Sequence, residues 1–173
     1  MAIKGNGYLK TTWSFAERPV ASAKLNTWDD RMEAALELVH FLLSQTWGGG
    51  DGVLRGATAV DLKAIATAPE GLSVMVQPGY AFISNFPYTL ATALQTVDVV
   101  APSVDPRIDL VQARLGTWDV SVKQGTEAGS PVAPLADTDA IPIAHLYLRV
   151  GMSSIKDADD ATNGYIIDAR NYL

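Results

Sequence analysis

Arg107 and Asp109 stand two residues apart, and so do Asp168 and Arg170. On an extended chain this spacing puts both members of a pair on one face of a strand. Carboxylates gathered in a cleft can act as general acid and base. Here each carboxylate has a guanidinium close by, which favours the ionised form and opposes the raised pKa a general acid needs. The chemistry expected of Arg107, Asp109, Asp168 and Arg170 is therefore structural: ion pairs within a strand, or across neighbouring strands, that set register. The stretch Val104–Leu115 reads as a strand with one apolar face and one carrying Arg107, Asp109 and Gln112.

Other residues of chemical interest point the same way. The acidic run Lys156-Asp-Ala-Asp-Asp160 invites a calcium reading. It lacks the glycine and the closing bidentate Glu of an EF-hand loop, so a solvated loop is expected. The two histidines, His40 and His145, have no second ligand at zinc spacing. His40 lies beside an apolar helix stripe and reads as a polar packing residue. No serine stands at a recognisable triad spacing from a His or an acid. Gly48-Gly-Gly-Asp-Gly52 is not followed by Gly-Lys-Ser/Thr and comes after a helix rather than a strand, so it is not a phosphate loop. Trp47, Tyr88 and Trp118 could stack on sugar. Trp118 alternates with Val120, which places it in the core. No catalytic residue, metal or cofactor is expected.

Composition bounds the rest. The chain has 173 residues, 48% hydrophobic and 18% charged, with a net charge of −6. That suits one globular domain plus an appendage. The acidic balance argues against nucleic acid as a partner, because phosphate binding needs clustered Lys and Arg. Cysteine is absent, which removes disulfides and thiolate metal sites. No apolar run approaches the ~20 residues of a membrane span, and residues 1–10 lack an apolar signal core.

The elements that must position these residues fall into two kinds. Residues 1–24 carry Tyr8, Trp13 and Phe15 without periodic pattern and read as an extended arm that lies on a partner through its aromatics. Residues 25–47 read as a helix, with Asn26 or Thr27 as cap and Asp29 and Asp30 in the first turn. Leu25, Trp28, Met32, Ala35, Leu36, Val39, Leu42 and Leu43 form its apolar stripe, partly at heptad spacing. Such a stripe packs either on its own domain or in a short bundle between copies. Residues 48–52 read as a glycine-rich hinge.

From residue 53 to 173 the pattern has period two. Strands are expected at 59–67, 72–77, 80–84, 88–94, 97–100, 107–115, 118–124, 141–150 and 165–170. Short strands at regular spacing without helices predict a mainly β fold: an antiparallel β-sandwich preceded by the extended arm and one long α-helix. Gly116-Thr117 predicts a hairpin between two of the strands. The loop 125–139, stiffened by Pro131 and Pro134, is expected to cross from one sheet to the other. Pro142 predicts an edge or entry position for the strand that follows.

Several pieces occur in a fixed order: Val76-Gln-Pro-Gly-Tyr-Ala-Phe-Ile83, Pro106-Arg-Ile-Asp-Leu-Val-Gln-Ala-Arg114, Lys123-Gln-Gly, Gly129-Ser-Pro-Val-Ala-Pro-Leu135, Ile141-Pro-Ile-Ala-His-Leu-Tyr-Leu, Ser154-Ile155 and Ile166-Ile-Asp-Ala-Arg170. The set, over about residues 50–173, resembles the attachment domains of tailed-phage baseplate and tail-fibre proteins, as in upper baseplate proteins. The resemblance implies a β-sandwich that docks on the virion, a homo-oligomer (often a trimer), and other tail or baseplate proteins as partners. Many members of that family continue past the Asp-Ala-Arg strand into fibre repeats or a receptor-binding head. Leu173 ends this sequence, so an adaptor or anchor is expected.

The expectation is a non-enzymatic virion structural protein, made in a host cytoplasm and lodged in the tail or baseplate. Its assembly interface would be Tyr8, Trp13, Phe15, Leu25, Trp28, Met32, Leu36, Val39 and Leu43. The alternatives are a carbohydrate-binding module for a host surface glycan and a head-fibre component.

Overall fold

The structure is a computed structural model and describes residues 22–47, 50–56, 60–84, 86–115 and 119–173, with helix side chains described at 23–36 and 39. The chain divides into two units, Met1–Gly49 and Gly50–Leu173. The arm of residues 1–21 and the turn residues Gly116, Thr117 and Trp118 lie outside the described residues. Among the described residues no helix is long and apolar enough to cross a membrane.

Helix α1 spans Ser22–Trp47. No Gly or Pro interrupts these 26 residues, and Ala, Leu, Met and Glu supply good intrinsic propensity. The expected capping is corrected. Ser22 to Lys24 are already helical and belong to α1 rather than to the arm, so Asn26 and Thr27 do not cap it. Thr27 is interior and its hydroxyl donates to the Ala23 carbonyl at 2.8 Å. That back-bond satisfies the hydroxyl without ending the helix.

The second unit is mainly β, with several antiparallel sheets. Its strands are β1 (Gly52–Val53), β2 (Ala64–Ala66), β3 (Val74–Val76), β4 (Gly79–Ile83), β5 (Phe86–Leu90), β6 (Leu94–Gln95), β7 (Arg107–Arg114), β8 (Asp119–Lys123), β9 (Ala140–Leu148), β10 (Ile155–Lys156) and β11 (Gly164–Asp168). They form a five-stranded sheet of order β10-β11-β9-β7-β8 and two three-stranded sheets, β1-β4-β5 and β2-β3-β6. All pairings are antiparallel except β10 with β11. One apolar cluster draws on all three sheets: Val53, Ala81 and Tyr88 from the first, Ala64 and Val74 from the second, and Val111, Ile143 and Leu146 from the five-stranded sheet.

The strand expected at 97–100 does not form. Thr96 and Val99 donate to the carbonyls of Val74 and Leu72 at 2.9 and 2.8 Å. The chain keeps these two bonds beyond β6 but does not hold the pleat, and Val97 and Val100 face solvent. The two-residue strands β1, β6 and β10 were not signalled by alternation, which needs four residues or more to be read.

The hairpin β7–β8 forms as the spacing predicts, with Arg114 opposite Asp119 and Leu110 opposite Lys123. The following loop differs from expectation. Strands β8 and β9 flank β7 in one sheet and both run antiparallel to it. Residues 124–139 therefore return across β7 within the five-stranded sheet instead of passing between sheets. Strand β9 is internal to the sheet, but Pro142 sits in its entry segment, where β11 does not pair with it, as the expected entry position requires. It lies opposite Gln112, where the β7–β9 register slips between Val111 and Gln112, and beyond Ala144, the last β9 residue paired with β11 in that direction. A missing N–H is tolerated at such an irregularity.

Candidate functional site

Strand β7 carries the residues singled out by spacing. Arg107 Nε donates to Asp109 Oδ1 at 2.7 Å, and a second guanidinium nitrogen reaches Oδ2 at 3.1 Å. Both side chains are almost fully buried. A buried ion pair is tolerable only when further hydrogen bonds satisfy its remaining groups. Here they do: Arg107 also donates to the Val100 carbonyl at 2.7 Å, and Asp109 Oδ1 accepts from the Gly125 N–H at 2.8 Å. The pair thus sets more than strand register. It holds the loop before β7 and the start of the crossing loop.

Glu127 completes the cluster. Its carboxylate accepts from the N–H groups of Ser103, Val104 and Asp105 at 3.1, 3.0 and 3.4 Å, and lies 3.8 Å from Arg107. The N–H groups of Val104 and Ser103, ahead of Arg107, hold its pKa below the usual carboxylate range. Ala128 N–H donates to the Pro106 carbonyl at 3.1 Å.

Gln112 does not share a face with Arg107 and Asp109. Strict alternation along β7 puts 107, 109, 111 and 113 on one side and 110, 112 and 114 on the other. Gln112 Nε2 donates to Asp137 Oδ2 at 2.5 Å, and the Asp137 N–H donates to Gln112 Oε1 at 2.9 Å. Lys123 donates to the other Asp137 oxygen at 2.5 Å. Lys123 first, then Gln112, lowers the Asp137 pKa. The crossing loop is thus fastened at both ends, to Asp109 near its start and to Gln112 near its finish.

The second expected pair is also in contact, but off the strand. Arg170 follows the end of β11, donates to both oxygens of Asp168 at 2.8 and 2.6 Å, and reaches the Asp61 carbonyl at 2.7 Å. The side-chain hydrogen bond from Arg170 depresses the Asp168 pKa. Val53 exchanges backbone bonds with the carbonyl of Asn171 (2.7 Å) and the N–H of Leu173 (3.1 Å). The last residues therefore lie along β1.

The acidic run 156–160 is tied down rather than simply solvated. Asp157 accepts from the Ala66 N–H at 2.7 Å, and Asp159 takes two bonds from Arg149 at 2.9 and 3.0 Å. Arg149 stacks over Tyr147 and Tyr165, 5.2 Å from each ring centroid. Asp160 accepts from Thr162 and Asn163, whose side-chain and backbone N–H groups lower its pKa to about 2. His145 is half-buried on β9, and burial lowers its pKa. Among the described residues no group of three His, Asp or Glu side chains gathers as a metal site. A cleft of about 220 Å³ is lined by Lys63, Asp157 and Asp168 over Ile143, Ala144 and Ile166.

Of the expected interface residues, Leu25, Trp28, Met32, Leu36 and Val39 are 41–66% exposed on α1. Tyr8, Trp13, Phe15 and the Leu43 side chain lie outside the described residues. Glu127, Gly125 and Asp137 were not anticipated as partners of β7. The available signal was the presence of isolated acids in a proline-containing loop that follows a strand bearing Arg107, Gln112 and Lys123. Comparison with family models, with curated proteins and with solved structures finds no match for the chain.

Proposed function

We propose that this chain is a non-enzymatic virion structural protein, a tail or baseplate adaptor or fibre anchor, that assembles as a homotrimer through its N-terminal arm and α1. The observation that carries the reading is the exposed apolar stripe Leu25, Trp28, Met32, Leu36 and Val39. Burying the exposed half of one such side chain contributes on the order of 1 kcal/mol, and a stripe at three- and four-residue spacing is what a helical bundle between copies uses. The ordered likeness of about residues 50–173 to phage attachment domains supports the virion setting. In this reading the five-stranded sheet packs against the two smaller sheets as a β-sandwich, which is consistent with the apolar cluster shared by all three. The sandwich docks on neighbouring tail proteins.

Sedimentation equilibrium of the full chain tests the assembly. A trimer mass at micromolar concentration is the expected result, and a strict monomer overturns it. Electron microscopy of assembled particles, with the chain labelled, tests the virion setting: density at the tail or baseplate supports it, and a chain absent from particles rejects it.

A further inference from the structure

Two loops of the sheet unit, residues 96–106 and 124–139, are fastened to each other. Ser103 and Val104 donate to Glu127, Ala128 donates to Pro106, and Arg107 holds the Val100 carbonyl. The crossing loop also doubles back, so that a methyl group placed on Gly125 would meet Pro134 Cδ at 3.5 Å. On these loops Val100, Val104, Val132 and Leu135 are 76%, 77%, 80% and 87% exposed. Single exposed apolar side chains are ordinary, but several on adjoining, fastened loops mark an interaction surface.

The surface has one sign of charge. Residues 96–106 and 124–139 contain Asp98, Asp105, Glu127, Asp137 and Asp139 and no Lys or Arg. Glu127 and Asp137 are engaged as described and Asp139 accepts from the Ser84 hydroxyl at 2.5 Å, which leaves Asp98 and Asp105 to face a partner. Two such surfaces meeting each other would set carboxylate against carboxylate. The stretch of opposite character is the first 21 residues, where Tyr8, Trp13 and Phe15 alternate with Lys4, Lys10 and Arg18 against a single acid, Glu17. Aromatic anchors flanked by basic side chains complement an apolar surface flanked by carboxylates.

We propose that the arm, residues 1–21, of one copy docks on the loop surface of Val100, Val104, Val132 and Leu135 of a second copy. This rests on the reading that α1 brings copies together, because the helix bundle raises the effective concentration of each arm at its neighbours. The aromatics supply affinity and the lysines and Arg18 select the acidic surface, so the contact weakens with salt without vanishing.

The test places a benzophenone amino acid at Leu135 of the full chain, a position whose exposure spares the fold. This protein is mixed and re-equilibrated with ¹⁵N-labelled unsubstituted chain and irradiated. Cross-links to labelled peptides from residues 1–21 are the expected result. Cross-links confined to the unlabelled chain's own arm, to other segments, or none at all overturn the proposal. Asp98→Lys with Asp105→Lys should lower the cross-link yield severalfold, and an unchanged yield counts against charge selection. Failure here is separable from failure of the assembly reading. An oligomer of correct mass whose Leu135 probe misses the arm rejects only the docking, whereas a monomer rejects both.

Discussion

Gln112 and Asp137 exchange two hydrogen bonds across 25 residues of sequence, the amide to the carboxylate at 2.5 Å and the backbone N–H to the amide oxygen at 2.9 Å. This reciprocal pair latches the far end of the crossing loop to β7. Gln112→Leu removes both bonds and leaves a backbone N–H to find water. A loss of about 1–3 kcal/mol is expected. Hydrogen exchange of residues 125–138 should accelerate before that of β7 and β9. Unchanged exchange in the loop would show that Gln112 is not its latch.

The near end is held by Asp109. Asp109→Ala leaves a buried guanidinium with one carbonyl and a distant carboxylate, and should destabilise the sheet unit by about 3–5 kcal/mol. Replacing both partners, Arg107→Met with Asp109→Leu, should recover much of that loss, because no buried charge remains. Urea unfolding of the single and double variants decides the matter. Equal losses in the two would mean that packing rather than charge dominates at this site.

Gly125 allows the chain to pass against β7. A Cβ there would overlap the Ile108 carbonyl oxygen, which is backbone and cannot swing aside. Gly125→Ala should cost about 1–3 kcal/mol through forced backbone movement, whereas Gly129→Ala, with open space around it, should be close to neutral. Thermal melts of the two alanine variants check the contrast.

Asp160 has a depressed pKa of about 2, set first by the Asn163 side chain and then by the backbone N–H groups of Asn163 and Thr162. A carboxyl whose folded pKa lies below its unfolded value stabilises the fold above the unfolded pKa and loses that contribution as pH falls through the folded one. The turn 160–163 should therefore persist from neutral pH to below the normal Asp range and open towards pH 2. An NMR titration of Asp160 with a midpoint near 4 would refute this. In Asp160→Asn the Thr162 and Asn163 amides should lose their acid-dependent shift.

The apolar stripe of α1 gives a separate prediction. Leu36→Lys puts a charge into the proposed bundle and should lower the sedimentation mass to that of one chain, with the far-ultraviolet spectrum of the sheet unit retained. Removing residues 1–21 should weaken association with a partner while β7–β9 stay folded. A full-size oligomer from Leu36→Lys would place the contact elsewhere.

Local pattern determined several features by itself. Uninterrupted helix formers and an apolar stripe marked α1, alternation marked most of the long strands, and i, i+2 spacing brought Arg107 to Asp109 and Arg170 to Asp168. These are short-range consequences of backbone geometry. What depends on neighbours distant in sequence was not legible. The two-residue strands β1, β6 and β10 exist because another strand lies beside them. That α1 runs through Asn26 and Thr27 rather than being capped there was not legible either, because good capping residues can also be carried in a helix interior. The crossing loop stays within one sheet because β8 and β9 both pair with β7, which no local pattern dictates, whereas the opposite faces of Gln112 and Arg107 follow from their odd spacing along one strand. Only the tertiary structure could show that the polar residues of β7 fasten the two ends of a loop, since their partners Gly125, Glu127 and Asp137 are brought to them by the crossover and by no local rule.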